Sequence, residues 1–306
     1  MLNPLVSIIV LTYNSEQFIL DTLNSIKHQT YKNIELIIGD DGSKDNTLQI
    51  ISHWISKHQS EINVKLITVE KNSGISANLK RSIELSKGEW LKLLAGDDLL
   101  KENSIEYYVQ QLIHYPSVKV YFSKLIMLRN GEISAYNHLE KERVELFNLN
   151  EKGKYEYYLV YPIFLNTPSV FIKKSLFEDY TLINESFRLL EDQPLFYTLF
   201  KNKVPVVYLE QATVIYRIHG QSITNIISIS FYENLYNAFE LYRKKDLTKI
   251  SPSFTKLINR QFKILTTYKR SSLIARFLLR IIRSPINKQQ EQLIAKVIDA
   301  NQPNRV

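Results

Sequence analysis

Short apolar runs, each stopped by polar turn residues, recur along the first two thirds of the chain. Val6-Ser7-Ile8-Ile9-Val10-Leu11 reads as a buried strand ended by Thr12-Tyr13-Asn14. A helical pattern spans about residues 16–29, with Phe18, Ile19, Leu23 and Ile26 on one face and Asn14 or Ser15 as its cap. Ile34-Glu35-Leu36-Ile37-Ile38-Gly39 is a second strand, closed by Asp40-Asp41-Gly42-Ser43. Asp45 or Asn46 then caps a helix that turns Ile50, Ile51, Trp54 and Ile55 inward. Residues 64–69 and 90–95 are further strands, and residues 75–86 and 103–114 further helices. This alternation predicts a mostly parallel sheet covered by helices on both faces.

The later pattern is less regular. Residues 118–127 read as a fifth strand with a hairpin turn at Arg129-Asn130-Gly131-Glu132. Residues 132–160 are polar and charged, and are expected to form a loop over the site. Thr167-Pro168-Ser169-Val170-Phe171-Ile172 re-enters the core as a strand. Phe187 to Asp192 lead into a helix over 194–201, with Pro194 near its first turn. Residues 204–208 and 213–218 read as two separate strands, and His219-Gly220-Gln221-Ser222 closes the sheet domain. From Phe231 onward only helical patterns occur. The expected division is therefore 1–225 for an α/β domain and 226–306 for a helical extension.

Charge sharpens that division. Residues 241–306 hold 15 Lys/Arg against 3 Asp/Glu, a net +12, whereas the whole chain carries only +8. The basic character thus belongs to the tail. There, Leu273, Phe277 and Ile281 mark apolar positions while Arg276, Arg280 and Arg283 share one face. Such a helix suits an anionic bilayer, its own domain, or a second copy in a homo-oligomer. Few aromatics interleave with the basic residues, which argues against nucleic acid. The chain has no cysteine, so disulfides and thiolate metal sites are excluded. Its first apolar segment, residues 5–11, is too short for a signal peptide or a membrane span. The expected location is cytoplasmic, with peripheral contact at the inner face of the membrane through the tail.

Candidate chemistry centres on Gly96-Asp97-Asp98 after the fourth apolar run. Ligands of parallel sheets bind beyond the carboxyl ends of strands. Adjacent carboxylates raise each other's pKa, and a hard divalent cation such as Mg²⁺ or Mn²⁺ offsets that cost. Taken alone, the pair also fits a polar turn capping the next helix. No G-x-G-x-x-G and no P-loop follows any strand, so the dinucleotide and NTPase folds are not indicated.

Several acid-bearing motifs occur in order: Thr12-Tyr13-Asn14, Gly39-Asp40-Asp41-Gly42-Ser43, Gly96-Asp97-Asp98, Glu191-Asp192 and Tyr216-Arg217-x-His219. Together, over residues 4–224, they resemble the family 2 glycosyltransferases of bacterial surface-glycan type. The resemblance implies a GT-A fold, an α/β Rossmann-like sheet flanked by helices. It also implies a metal-dependent, inverting, hexosyl-type transfer from a nucleotide-diphosphate sugar, a UDP-sugar by preference, to a glycan or lipid-linked glycan hydroxyl. By the same resemblance, Asp41 accepts from the nucleotide base, and Thr12, Tyr13 and Asn14 line its pocket. Asp98 is the direct ligand of Mn²⁺ or Mg²⁺, and Asp97 addresses the ribose or a metal-bound water. Asp192 is the general base, with Glu191 orienting it or the acceptor. His219 reaches the metal or the diphosphate, and Arg217 a phosphate. The sequence departs from the family at Thr12, where proline is common, and at Leu79-Lys80, where an Arg-Asn pair is common. Lys80 or Arg81 is expected to supply the missing cation. A catalytically silent nucleotide-sugar-binding or scaffold protein is the alternative, against which intact Asp41, Asp98 and Asp192 argue. A nucleotidyltransferase is disfavoured because Thr12-Tyr13-Asn14-Ser15-Glu16 is neither glycine-rich nor basic.

Overall fold

A computed structural model describes residues 2–135, 140–162, 165–220, 229–268 and 272–301. Its strands are β1 (Val6–Thr12), β2 (Ile34–Asp40), β3 (Asn63–Thr68), β4 (Trp90–Ala95), β5 (Leu99–Leu100), β6 (Val120–Arg129), β7 (Glu132–Ala135), β8 (Val170–Lys173) and β9 (Val206–Ile218). Its helices are α1 (Ile19–Lys27), α2 (Thr47–His58), α3 (Ile75–Leu85), α4 (Ser104–His114), α5 (Glu140–Phe147), α6 (Glu151–Val160), α7 (Leu176–Asp179), α8 (Asp192–Lys201), α9 (Ile229–Ala238), α10 (Lys244–Ile250), α11 (Pro252–Thr267) and α12 (Leu273–Asn301).

The strands form one sheet in the order β3-β2-β1-β4-β8-β6-β9-β5, with β7 beside β6. β1 runs parallel to both β2 and β4, with Val6 opposite Ile34 and Trp90. Chain order reverses there: β2 and β3 extend to one side of β1, and β4 lies on the other. β8 pairs antiparallel with β4 and β6, which makes the sheet mixed.

Burial explains the apolar runs. Val6, Ile8, Ile9 and Val10 are all inaccessible, so both faces of β1 are covered. On one face, Ile19, Leu23 and Ile26 of α1, Trp54 of α2 and Tyr108 of α4 pack on Val6, Ile8 and Val10. Each such aliphatic side chain contributes roughly 1.5–3 kcal/mol by its burial.

Four local expectations are corrected. Residues 132–160 are not one loop: their described part contains β7, α5 and α6. Thr167–Ser169 is a 3₁₀ turn, and the strand begins only at Val170. The two late strands are one, β9, which pairs along β6 with a bulge where Leu209 and Ala212 oppose Ser123 and Lys124. Its polar bulge residues read as a break in sequence. α1 starts later than expected, at Ile19, and its N-cap position is Phe18, without a side-chain cap. The hairpin is as expected, with Asn130 and Gly131 both at positive φ (52° and 82°) as a type I′ turn needs. The Gln221-Ser222 part of the expected closing segment lies outside the described residues.

Two compact units alternate along the chain. The sheet unit comprises Met1–Glu140, Leu165–Glu191 and Val204–His219. The helical unit comprises Lys141–Phe164, Asp192–Lys203 and Gly220–Val306. Within the helical unit, α11 packs on α9 and α12, and α6 packs on α8 and α12. Buried Arg243 donates to the Leu159 carbonyl at 2.6 Å, and Tyr155 and Tyr197 donate to Asp246 at 2.6 and 3.0 Å. Among the described residues, no helix is long and apolar enough to cross a membrane.

Candidate active site

The carboxyl ends of β1 and β4 meet where strand order reverses, the usual ligand position of such sheets. Gly96 N donates to the Leu11 carbonyl at 2.8 Å, which holds the two strand ends together. Thr12 follows Leu11 and is buried, and its Oγ1 has no hydrogen-bond partner among the described residues. Tyr13 projects its ring outward, 46 % exposed. Asn14 takes a positive φ of 51°, and its side chain accepts from Lys44 N at 2.8 Å. Its own N–H reaches Ser43 Oγ at 2.8 Å, so the loops after β1 and β2 are tied together.

Asp41 anchors a third loop. Its carboxylate accepts from Ser73 N, from Ser73 Oγ at 2.7 Å, from Gly74 N at 2.7 Å and from Arg81 Nη2 at 3.0 Å. The two backbone donors immediately precede α3, where a negative charge also favours the helix dipole, and Arg81 lies within the helix. Four donors thus converge on this one carboxylate. Neighbouring Asp40 turns the other way and accepts from Gly42 N and Ser43 N at 3.1 and 2.9 Å. Of the two cations considered in sequence, Arg81 turns toward Asp41. Lys80 points outward to Glu185 at 2.5 Å.

Asp97 and Asp98 diverge. Asp98 is buried, 1 % exposed, and its Oδ1 accepts from Arg217 N at 2.9 Å. Its Oδ2 is buried with no hydrogen-bond partner among the described residues. Burial, then the neighbouring Asp97, pushes its pKa well above the usual carboxylate range, against the pull of Arg217 and Lys92. Asp97 meets His219 Nε2 at 2.8 Å, and its carbonyl accepts from Arg217 Nε at 2.9 Å. Arg217 also reaches Asp21 at 3.1 Å and lies 5.0 Å from the Phe18 ring centre, which itself packs 4.3 Å from His219. α1 and the end of β9 thus fix the Arg217 fork beside both acids.

An orphaned, buried carboxylate oxygen fits a hard divalent cation. Among the described residues no three His, Cys, Asp or Glu side chains gather into a cage. Mg²⁺ is commonly held by only one or two carboxylates, with phosphates and water completing its shell.

Lys92 escaped the sequence reading. It is fully buried in β4, donates to the Pro168 carbonyl, and lies 5.3 Å from the Tyr108 ring centre. Burial pushes its amine down to about 7, while nearby Asp98 acts the other way. The available signal was a lone charge inside the apolar run Trp90-Leu91-Lys92-Leu93-Leu94.

Glu191 ends a segment of the sheet unit, and Asp192 opens α8 of the helical unit. Burial raises the Glu191 pKa, partly offset by its own backbone N–H and the Thr167 hydroxyl. Within the helical unit the Asp192 charge acts on the buried Tyr158 hydroxyl, whose pKa burial already pushes far above the usual tyrosine range.

This sheet order with acids at the strand ends is an architecture of the GT-A type. The solved structures agree. S. aureus TarS 1–349 in complex with UDP covers 96 % of this chain and 88 % of its own, at 20 % identity and a TM-score of 0.61. The mannosyltransferase PcManGT from Pyrobaculum calidifontis, in complex with GDP-Man and Mn²⁺, covers 98 % and 87 %, at 16 % identity and 0.61. The model of glycosyl transferase family 2 matches residues 7–178, and the chain belongs to that family. A relative from Rickettsia prowazekii, described as an uncharacterized glycosyltransferase, is 29 % identical over 258 residues, 81 % of this chain and 74 % of its own.

Proposed function

We propose that this chain transfers a sugar, with inversion and with Mn²⁺ or Mg²⁺, from a UDP-sugar to a hydroxyl of a bacterial surface glycan. The observation that carries the reading is the buried, unpartnered Oδ2 of Asp98 at the point where strand order reverses. Asp98 would hold the cation. Bound there, the cation would offset the charge of the diphosphate as it departs. Arg217 and His219 keep Asp97 and Asp98 from turning toward each other. The loops of Thr12–Asn14 and Asn72–Gly74, pinned by Asp41 and Arg81, would shape the nucleotide pocket.

Asp192 takes the role of general base on the family resemblance. The acceptor oxygen forms a bond to the anomeric carbon, the bond from that carbon to the phosphate oxygen breaks, and the acceptor proton passes to Asp192. Glu191, held by Thr167, orients the base or the acceptor. The acceptor class, a free or lipid-linked glycan, follows the same resemblance.

Thermal shift with UDP and Mn²⁺ tests donor binding. A rise in melting temperature that EDTA abolishes is expected, because a ligand of the native state stabilises it. No shift with any nucleoside diphosphate would overturn the reading. In Asp192→Asn that shift should persist while transfer falls by about 10²–10⁴-fold. Unchanged transfer would remove Asp192 from the mechanism.

A further inference from the structure

α12 has two apolar faces, and among the described residues only one is packed. Ala275, Ile282, Ile286 and Val297 are buried against the helical unit. On the opposite side Leu273, Ile274, Phe277 and Ile281 are 81, 57, 65 and 53 % exposed. Their spacing aligns them as one stripe along the outer surface of the helix. Arg276, Arg280 and Arg283 are exposed along one edge of this stripe. Arg280, Arg283, Asn287, Lys288 and Glu291 also line an open notch that continues it.

Charge decides what covers the stripe. No acidic residue occurs between Leu273 and Gln290. Antiparallel pairing of two copies would set arginine edge against arginine edge. Parallel pairing would bring up an edge that carries no acid either. Apart from Glu291 at the far end of the notch, the first half of α12 offers a second copy no counter-charge for the arginines, and like charges across an interface are unfavourable. An anionic bilayer supplies both parts: an acyl boundary for the apolar stripe and phosphates for the arginines. The helix is not apolar enough to span the bilayer, so it lies in the surface plane.

We infer that the first half of α12 is a docking surface for an anionic phospholipid bilayer, with Leu273, Phe277 and Ile281 inserted and Arg276, Arg280 and Arg283 on lipid phosphates. The inference does not depend on the transfer reaction.

Co-sedimentation of the full chain with vesicles tests it. Binding to mixed phosphatidylglycerol–phosphatidylcholine vesicles is expected, with little to phosphatidylcholine alone, and it should weaken with added salt. Each arginine contributes about fivefold, so Arg276→Gln/Arg280→Gln/Arg283→Gln should lower partitioning by about 100-fold. Phe277→Ser/Ile281→Ser should lower it by at least about tenfold. All five positions are exposed, so both variants should melt with the wild type. Equal binding to both vesicle types, or binding that neither variant reduces, would overturn the inference. So would a dimer in light scattering that Phe277→Ser/Ile281→Ser splits, with no vesicle binding, since that assigns the stripe to a second copy.

Discussion

Asp41 is where one side chain carries most of the local architecture. Its carboxylate gathers the two N–H groups just before α3, a serine hydroxyl and a guanidinium. Asparagine there has the same shape but one acceptor oxygen, and its amide would face donors. Asp41→Asn is therefore expected to lower stability by roughly 1–3 kcal/mol, the cost of leaving buried donors unsatisfied. Urea unfolding measures it, and an unchanged midpoint would show that these bonds are replaceable by water. Lys80→Met is the matching control. That ion pair with Glu185 is half exposed and solvent-screened, so its loss should leave the urea midpoint close to the wild type. The contrast also shows what sequence could resolve at this scale. Lys80 and Arg81 are adjacent cations on one helix, and only the rotation of α3 decides which faces the acid.

Among the elements, the loop before α3 is held by backbone contact as well as by Asp41. Gly74 has φ 97°, and a Cβ there would come within 2.7 Å of the Arg188 carbonyl oxygen. Gly74→Ala meets both a conformational penalty and a clash with main chain. Gly131 has φ 82° but open space around its Cβ position, so Gly131→Ala meets the penalty alone. Gly131→Ala should cost about 1 kcal/mol, and Gly74→Ala clearly more, with weaker UDP binding in the thermal shift only for the latter. Equal losses would mean that the Arg188 contact gives way freely. β1, β2 and β4 were legible as mainly apolar runs, each with one polar position inside it (Ser7, Glu35 and Lys92), because both of their faces are buried. α6 was not. It buries Lys154, Tyr157 and Tyr158 and carries Gly153 mid-helix, which reads as a breaker. A Cβ on Gly153 would fall 2.5 Å from the Asn301 Cβ, so the glycine serves close packing against α12, a contact 148 residues distant. Asp98 was legible from its place after an apolar run. The Arg217 clamp on it needed the β9–β5 pairing, which no local pattern announces.

For the whole molecule, the balance of charge sets how stability responds to acid. Glu35 is the clearest reporter, because it is buried at 1 % exposure and joins several parts of the sheet unit. It accepts from Ser7 Oγ at 2.6 Å, from Lys87 N, from Gly88 N at 3.1 Å, and pairs with Lys65 at 3.3 Å. Burial pushes its pKa up, but those hydrogen bonds and Lys65 outweigh it and hold it below the usual value. A carboxyl whose folded pKa is depressed adds stability above its unfolded pKa, near about 4.3. That stability disappears as pH falls through the folded value. Glu35→Gln should accordingly be less stable than the wild type at about pH 7, by roughly 1–3 kcal/mol. The gap should close in acid, where the wild-type carboxyl is protonated and resembles the amide. Urea midpoints across that range separate this from a packing effect, since a gap of constant size would show that shape and not charge makes Glu35 matter.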